Sequence, residues 1–349
     1  MTIILFLLVL LVTVLVHEWG HFYAARKCGM IVEEFGFGIP PRLWSFKKGE
    51  TVYSINALPI GGFVRIAGEN GLEGHVAPNR QFDTKSWWQK SIVLVAGVVC
   101  NIVLAIVLFT SAYMIGMPTI SDGGIPTVVT IVANSPAHEA GIVAGDTITS
   151  IAVDGVPIVP ITTDTLRASV KNNRGTVAIS YIHNDVAHEV VVTPKDTADG
   201  KMIGIGIQPI KNVKLSFLHA AISAIVQVCS LVGGIWDTLS GLVGGLFTGS
   251  GSAQGLTGPV GLVKEVGNAA AIGFAYLLAF TAAISVNLAV LNIMPFPALD
   301  GGRLIVVLLE AITRRRFSSK VVGIIHAVGF LLLLALMLFL TVVDVHRLF

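Results

Sequence analysis

The chain has 349 residues, of which 54% are hydrophobic and 13% charged; its mean hydropathy is +0.80. That is about half the charge of an ordinary soluble domain, which excludes a wholly water-facing globule and leaves room for several membrane spans. The net charge of +2 says little as a total, and three scattered cysteines, Cys28, Cys100 and Cys229, exclude both a disulfide framework and a cysteine zinc site.

Taken in chain order, residues 1–25 read as a first transmembrane helix. No Lys or Arg precedes Arg26 and Lys27. A cleavable signal peptide would place positive charge ahead of its apolar run, so this span is expected to be retained. Residues 26–90 carry β-rich stretches at 31–37, 51–55 and 62–67, punctuated by Gly36, Gly38, Pro40, Pro41, Gly61 and Gly62. They predict a small membrane-associated β-region on the cytoplasmic face. A second span covers 91–115, behind Lys85 and Lys90.

Residues 116–212 include a stretch of globular composition. The run Ser135-Pro-Ala-His-Glu-Ala-Gly-Ile-Val-Ala-Gly-Asp146, followed by a strand at 147–153 and a turn at Asp154-Gly155, resembles part of a PDZ domain. One such α+β domain is expected outside the cell membrane. Residues 213–271 include an apolar run, 217–247, that could be counted as a span. Crossing there would put the later segments on the wrong side, so one or two interfacial or re-entrant helices are expected instead. A third span with its polar end covers 272–302, a basic loop 303–320, a fourth span 321–343 and an outer tail 344–349. Segments 26–90 and 303–320 hold 14 of the 23 Lys and Arg residues. Positive charge flanks cytoplasmic ends, so both termini and the 116–271 region are expected outside. The fold class is therefore a polytopic α-helical membrane protein of four transmembrane helices with a β-region and one inserted domain.

His17-Glu18-Trp19-Gly20-His21 is an H-E-x-x-H sequence. On a helix the two histidines share one face and can reach a single ion, with Glu18 beside them to accept a proton from water. Two imidazoles and a carboxylate inside an apolar span are costly unless they serve an ion, a proton path or a ligand. A catalytic zinc needs a third protein ligand and an open position. The other polar cluster of the spans, Asn292-Ile-Met-Pro-Phe-Pro-Ala-Leu-Asp300-Gly-Gly302, has two prolines that unwind a helix end and two glycines that permit a tight return. Asp300 is the expected third ligand of one Zn2+. A metal transporter is the rival reading, but no inverted repeat of the kind transporters carry is visible, and Glu18 is unnecessary for carriage.

The paired motifs H-E-W-G-H and N-x-x-P-x-P-x-x-D-G-G resemble the site-2 protease family of intramembrane zinc metalloproteases, most closely its bacterial regulator-of-sigma-E branch. Gly36-Phe-Gly38, Pro59-Ile-Gly-Gly-Phe-Val64 and Gly258-Pro259 extend the likeness. The resemblance implies zinc on His17, His21 and Asp300, Glu18 as catalytic acid and base, and Asn292 holding substrate backbone or the oxyanion. In the second span this chain reads Ala96-Gly-Val-Val-Cys-Asn101 where the family has Gly-Pro-x-x-Asn, so Val98 stands in place of the proline and Asn101 remains. Implied substrates are membrane-embedded, single-pass and already trimmed, of the anti-sigma-factor type or signal-peptide remnants, in a bacterial inner membrane.

A helical substrate must be extended before it is cut. An edge in the β-region is expected to accept it by strand addition, with Tyr53, Ser54, Ile55, Gly61, Gly62, Phe63 and Val64 as the strand-binding residues. Gly123-Gly-Ile-Pro126 is read as either a carboxylate-binding loop or an ordinary turn. His326, within the fourth span, is expected to make an interhelical hydrogen bond. His75, His138, His183, His188 and His219 lack ligand spacing. The basic run Arg314–Arg316 beside a membrane points to anionic lipid rather than nucleic acid.

Overall fold

The computed structural model describes residues 2–69, 76–132, 134–171, 175–183, 185–197, 200–248 and 258–348; His75 lies outside them. Helix α1 (Thr2–Lys27) is an unbroken apolar run closed by two basic residues, where the carbonyl end of a helix favours positive charge. Strands β1 (Val32–Lys48) and β2 (Thr51–Ile66) follow. Helix α2 (Trp87–Ile115) begins at Ser86, whose backbone and side chain are both met by Gln89, and stops at Gly116 with φ +119°.

A sheet domain comes next: β3 (Met117–Ile131), α3 (Pro136–Glu139), β4 (Thr147–Val153), β5 (Val156–Pro157), α4 (Thr163–Lys171), β6 (Val177–His183), β7 (Val186–Val192), β8 (Lys195–Thr197), β9 (Gly200–Met202) and β10 (Ile205–Val213). The strands run β10-β3-β4-β6-β7 with antiparallel neighbours, β5 pairing with β4 and β8 with β9. Val128, Ile148, Ile151, Ile179 and Ile207 from the sheet bury against Leu166 and Val170 of α4. The expected strand at 147–153 is β4 itself. Asp154 and Gly155, at φ +50° and +78°, make the left-handed pair that a tight hairpin demands.

The rest is helical: α5 (Phe217–Thr248), α6 (Pro259–Ile272), α7 (Phe274–Ile293), α8 (Asp300–Thr313) and α9 (Ser319–Leu348). The 213–271 segment holds two helices, one long and one short, in keeping with the one or two expected, and residues 217–241 of α5 join α1, α2, α7 and α9 as a fifth stretch long and apolar enough to cross a membrane. One expectation changes here. The 303–320 loop is mostly α8, because Leu304 and Val307 recur at helical spacing and pack on the cluster of Ala25, Val93 and Leu94.

Helix α2 is the hub, packed by α1, α5, α7 and α8. It meets α1 backbone to backbone: a Cβ on Gly20 would lie 2.5 Å from the Ala96 oxygen and 2.9 Å from the Gly97 Cα. Small residues permit such close crossings in apolar surroundings. Helix α6 caps one end of the bundle, with Gly267 beside Thr2 of α1 and Asp344 of α9 accepting the Gly261 amide at 2.8 Å. The β1–β2 pair closes the other end, where Met30, Val32 and Ile66 pack with Ala24, Ala25, Val93 and Leu94.

Strands β1 and β2 are long enough to fold into four arms. Residues 34–37 face 62–65 on one side and 52–55 on the other, and 52–55 in turn face 44–47. The 62–66 arm is therefore a free edge. Tyr53, Ser54 and Ile55 form an interior arm, paired on both sides, and this corrects their reading as an accepting edge: their backbone groups are already used.

Candidate metal centre

His17 and His21 are buried on one face of α1. The His21 ring donates from Nδ1 to the Val93 carbonyl of α2 at 2.8 Å, which leaves its Nε2 lone pair free for a ligand. Asp300 reaches the pair through a break in the third span. Helix α7 stops at Ile293, and Met294, just before Pro295, is extended. The chain turns back through Phe296 N–H to Met294 O (2.7 Å) and Leu299 N–H to Phe296 O (3.2 Å). Gly301 and Gly302 then pack so tightly on the carbonyls of Ile293, Met294 and Phe296 that no Cβ would fit.

The result is three convergent donor atoms. His17 Nε2 lies 3.0 Å and His21 Nε2 3.2 Å from Asp300 Oδ2, and the two nitrogens are 3.1 Å apart. A tetrahedral zinc with bonds of about 2.0–2.1 Å sets its donors about 3.3 Å from one another. A proton can bridge one pair of these atoms; a cation can satisfy all three. Among the described residues this is the one such cluster of His, Cys, Asp or Glu donors.

Glu18 faces a cavity of about 470 Å³ shared with His21, Asp300, Arg303 and the 62–66 edge arm. A Cβ on Gly62 would come 3.1 Å from Glu18 Cγ, so the free edge runs directly past the carboxylate. The Asn292 amide nitrogen lies 3.4 Å from His17 Nε2. Fully buried Asn101 places its amide nitrogen 3.4 Å from His17 Nδ1, and its Oδ1 has no partner among the described residues. Arg303 forms an ion pair with Glu69 across the cavity wall. Trp19 turns outward and stacks on Tyr23.

The structure thus gathers His17, Glu18, His21, Asn292, Asp300, Gly62, Phe63 and Val64 around one space. Gly61, at φ +85°, lies outside the cavity lining. Ser54 is engaged with Glu34 at 2.7 Å, and Tyr53 stacks on Phe46. Pro126 lies opposite Pro209 in β3, and Gly123–Ile125 fall in the register gap of that strand between Ile120 and Pro126. His326 accepts the backbone amide of Ala298 at 2.9 Å, a bond to the turn rather than to a helix. Ser135 caps α3 by accepting the His138 backbone amide, His183 bonds Asp146, His188 stacks on Tyr181 and His219 bonds Ser216. Sequence reasoning passed over Arg303 and Gly97. Arg303 follows Asp300 by three residues, so once α8 is seen as a helix the two share a face. Gly97 is the glycine of the Gly-Val-Val-Cys-Asn101 run that aligns with the family's Gly-Pro-x-x-Asn, and it vacates the space that both imidazoles occupy.

Residues 5–336 match the model of Peptidase family M50. A Clostridium acetobutylicum protein named as a zinc metalloprotease is 36% identical over 96% of this chain and 94% of its own length. Another of that name from Clostridium perfringens is 36% identical over 99% and 98%. The zinc metalloprotease RasP of Oceanobacillus iheyensis is 29% identical over 100% of this chain and 99% of its own.

A Cβ at Gly97 would meet the His21 ring and come 2.8 Å from His17 Cε1. Gly97→Ala is expected to lower bound metal well below one ion per chain in elemental analysis of the purified protein. Full occupancy in that variant would contradict the packing described.

Proposed function

The chain belongs to peptidase family M50 and is a zinc-dependent metalloprotease, and we propose that it cuts the transmembrane segments of single-pass membrane proteins at a site held by His17, His21 and Asp300. The observation that carries this reading is the convergence of those three donors with Glu18 in one cavity at the depth of the apolar helices.

When bound, zinc lowers the pKa of water toward about 7 and polarises the scissile carbonyl. Glu18 would accept a proton from the attacking water and return it to the leaving amine. The Asn292 amide donates to the oxygen that gains negative charge. With His17 Nε2 committed to the metal, its Nδ1 carries the proton. The Asn101 amide, turned end for end, then offers its oxygen to that N–H and fixes the ring.

The 62–66 edge supports strand addition. Its outer backbone groups are unpaired within the sheet, and it passes beside Glu18. A substrate helix that unwinds onto Gly62, Phe63 and Val64 exchanges its own hydrogen bonds for ladder bonds and presents its peptide groups to the metal.

The basic flanks orient the molecule with β1–β2 and α8 toward the cytoplasm. Helices α1, α2, α7 and α9 then cross, which leaves the sheet domain, α6 and both chain ends outside. Helix α5 starts at the outer end, where Leu215 donates to the Tyr113 carbonyl. Helix α6 caps that same end. A single crossing by α5 would strand α6 on the wrong side, so α5 lies in the outer leaflet against α2 and α7. The sheet domain is PDZ-like on this reading. Its peptide groove lies between α4 and β9–β10, a cavity of about 320 Å³ lined by Leu166, Val170, Ile203, Gly204 and Ile205, so residues 202–205 take the carboxylate-binding role considered for Gly123–Pro126. The natural substrates are trimmed anti-sigma-type proteins or signal-peptide remnants in a bacterial cytoplasmic membrane.

Glu18→Gln should keep one zinc per chain and lower cleavage of a single-pass test substrate by about 10²–10⁴-fold; undiminished cleavage would end the proposed role. Proline at Phe63 or Val64 should slow cleavage with zinc retained. If proline along the whole 62–66 arm leaves the rate unchanged, strand addition at this edge is ruled out.

A further inference from the structure

Helix α9 is the least embedded of the long helices, with most of its side chains exposed. One inward attachment is Asp344 to the start of α6. Another, nearer its start, is made by His326 and Gly329 to the turn that carries Asp300. There the Ala298 amide donates to His326 Nδ1 at 2.9 Å. One helical turn away, a Cβ on Gly329 would lie 2.5 Å from the Pro297 oxygen, so helix and turn are in backbone contact.

The turn needs an outside hold. Ala298 has φ +79°, a left-handed conformation that a non-glycine residue adopts reluctantly. Pro297 has no N–H to give. Within the turn the amides of Phe296 and Leu299 are satisfied by local carbonyls, but the Ala298 amide bonds to His326 alone among the described residues. Ala298 is two residues from Asp300 and lines the same cavity as Glu18. The tautomer follows from the bond: Nδ1 accepts, so Nε2 bears the proton, and that atom is buried without a partner among the described residues.

We propose that His326, seated by Gly329, is a positioning residue for the metal site: α9 holds the strained Ala298 turn and thereby sets the Asp300 carboxylate against His17 and His21. This rests on the assignment of those three residues as zinc ligands. It gives a nearly free-standing helix a role in metal affinity, although it supplies no ligand.

The test is zinc affinity of the full-length protein in detergent, by competition with a chelating indicator, together with the visible spectrum of the cobalt-substituted protein. His326→Ala should weaken zinc by about 10–100-fold, the usual effect of losing a group that orients a ligand, and shift the cobalt bands. His326→Asn places Oδ1 where Nδ1 was and should restore both readouts. Gly329→Ala should weaken zinc in the same direction. Wild-type affinity and spectrum in His326→Ala would overturn the proposal, as would an Asn variant as weak as the Ala variant. If Ala proves unfoldable, the Asn and Gly329 variants decide by the same criteria. Should the wild type bind no zinc, or bind it undiminished after Asp300→Ala, the ligand assignment itself fails, and this inference with it.

Discussion

Three donor atoms from His17, His21 and Asp300, packed 3.0–3.2 Å apart among apolar helices, set the constraint on which the rest of the structure depends. An Asp placed at the centre of a membrane helix costs about 2.5–3.5 kcal/mol on insertion scales, and the imidazoles add to this. A structural zinc site in a small peptide is worth about 10–16 kcal/mol. A metal held by these three donors, as proposed, would outweigh that penalty by a wide margin. The location eases the cost further. His21 is six residues from the end of α1, about 9 Å at 1.5 Å per residue, so the site lies toward the basic end of that helix and not at its middle.

Much of the architecture serves to hold those atoms. Helix α2 contributes no ligand, yet its Val93 carbonyl orients His21, its Gly97 makes room for both rings, and its Asn101 lies against His17. The crossing at Gly20 and Gly97 is what brings α2 so near. On the opposite side the prolines of the 295–297 turn release the chain from α7, and α8 begins at the carboxylate it must present. The β1–β2 sheet adds the remaining wall. Its edge arm passes Glu18 at contact distance, so a segment extended along that edge would arrive beside the three donors.

The sequence was most legible where one residue type performs one physical task. H-E-x-x-H needs only helical spacing to be read, and β4 with its Asp154-Gly155 turn follows from alternation and left-handed geometry. Other features depend on long-range pairing that no local pattern encodes. Tyr53–Ile55 and Gly62–Val64 have equally strand-like compositions, and only the register makes one an interior arm and the other an edge. Helix α8 was hidden because Asp-Gly-Gly reads as a breaker, whereas the burial of Leu304 and Val307 overrides it. The extent of α5 was legible as the apolar run 217–247, and its glycines are tolerated in a helix that packs on α2 and α7.

The most direct test of the account is zinc K-edge X-ray absorption on the purified protein. Two imidazole nitrogens and oxygen donors at about 2.0–2.2 Å, with no sulfur, are predicted. A sulfur scatterer at about 2.3 Å, or fewer than two imidazoles around the metal, would contradict it.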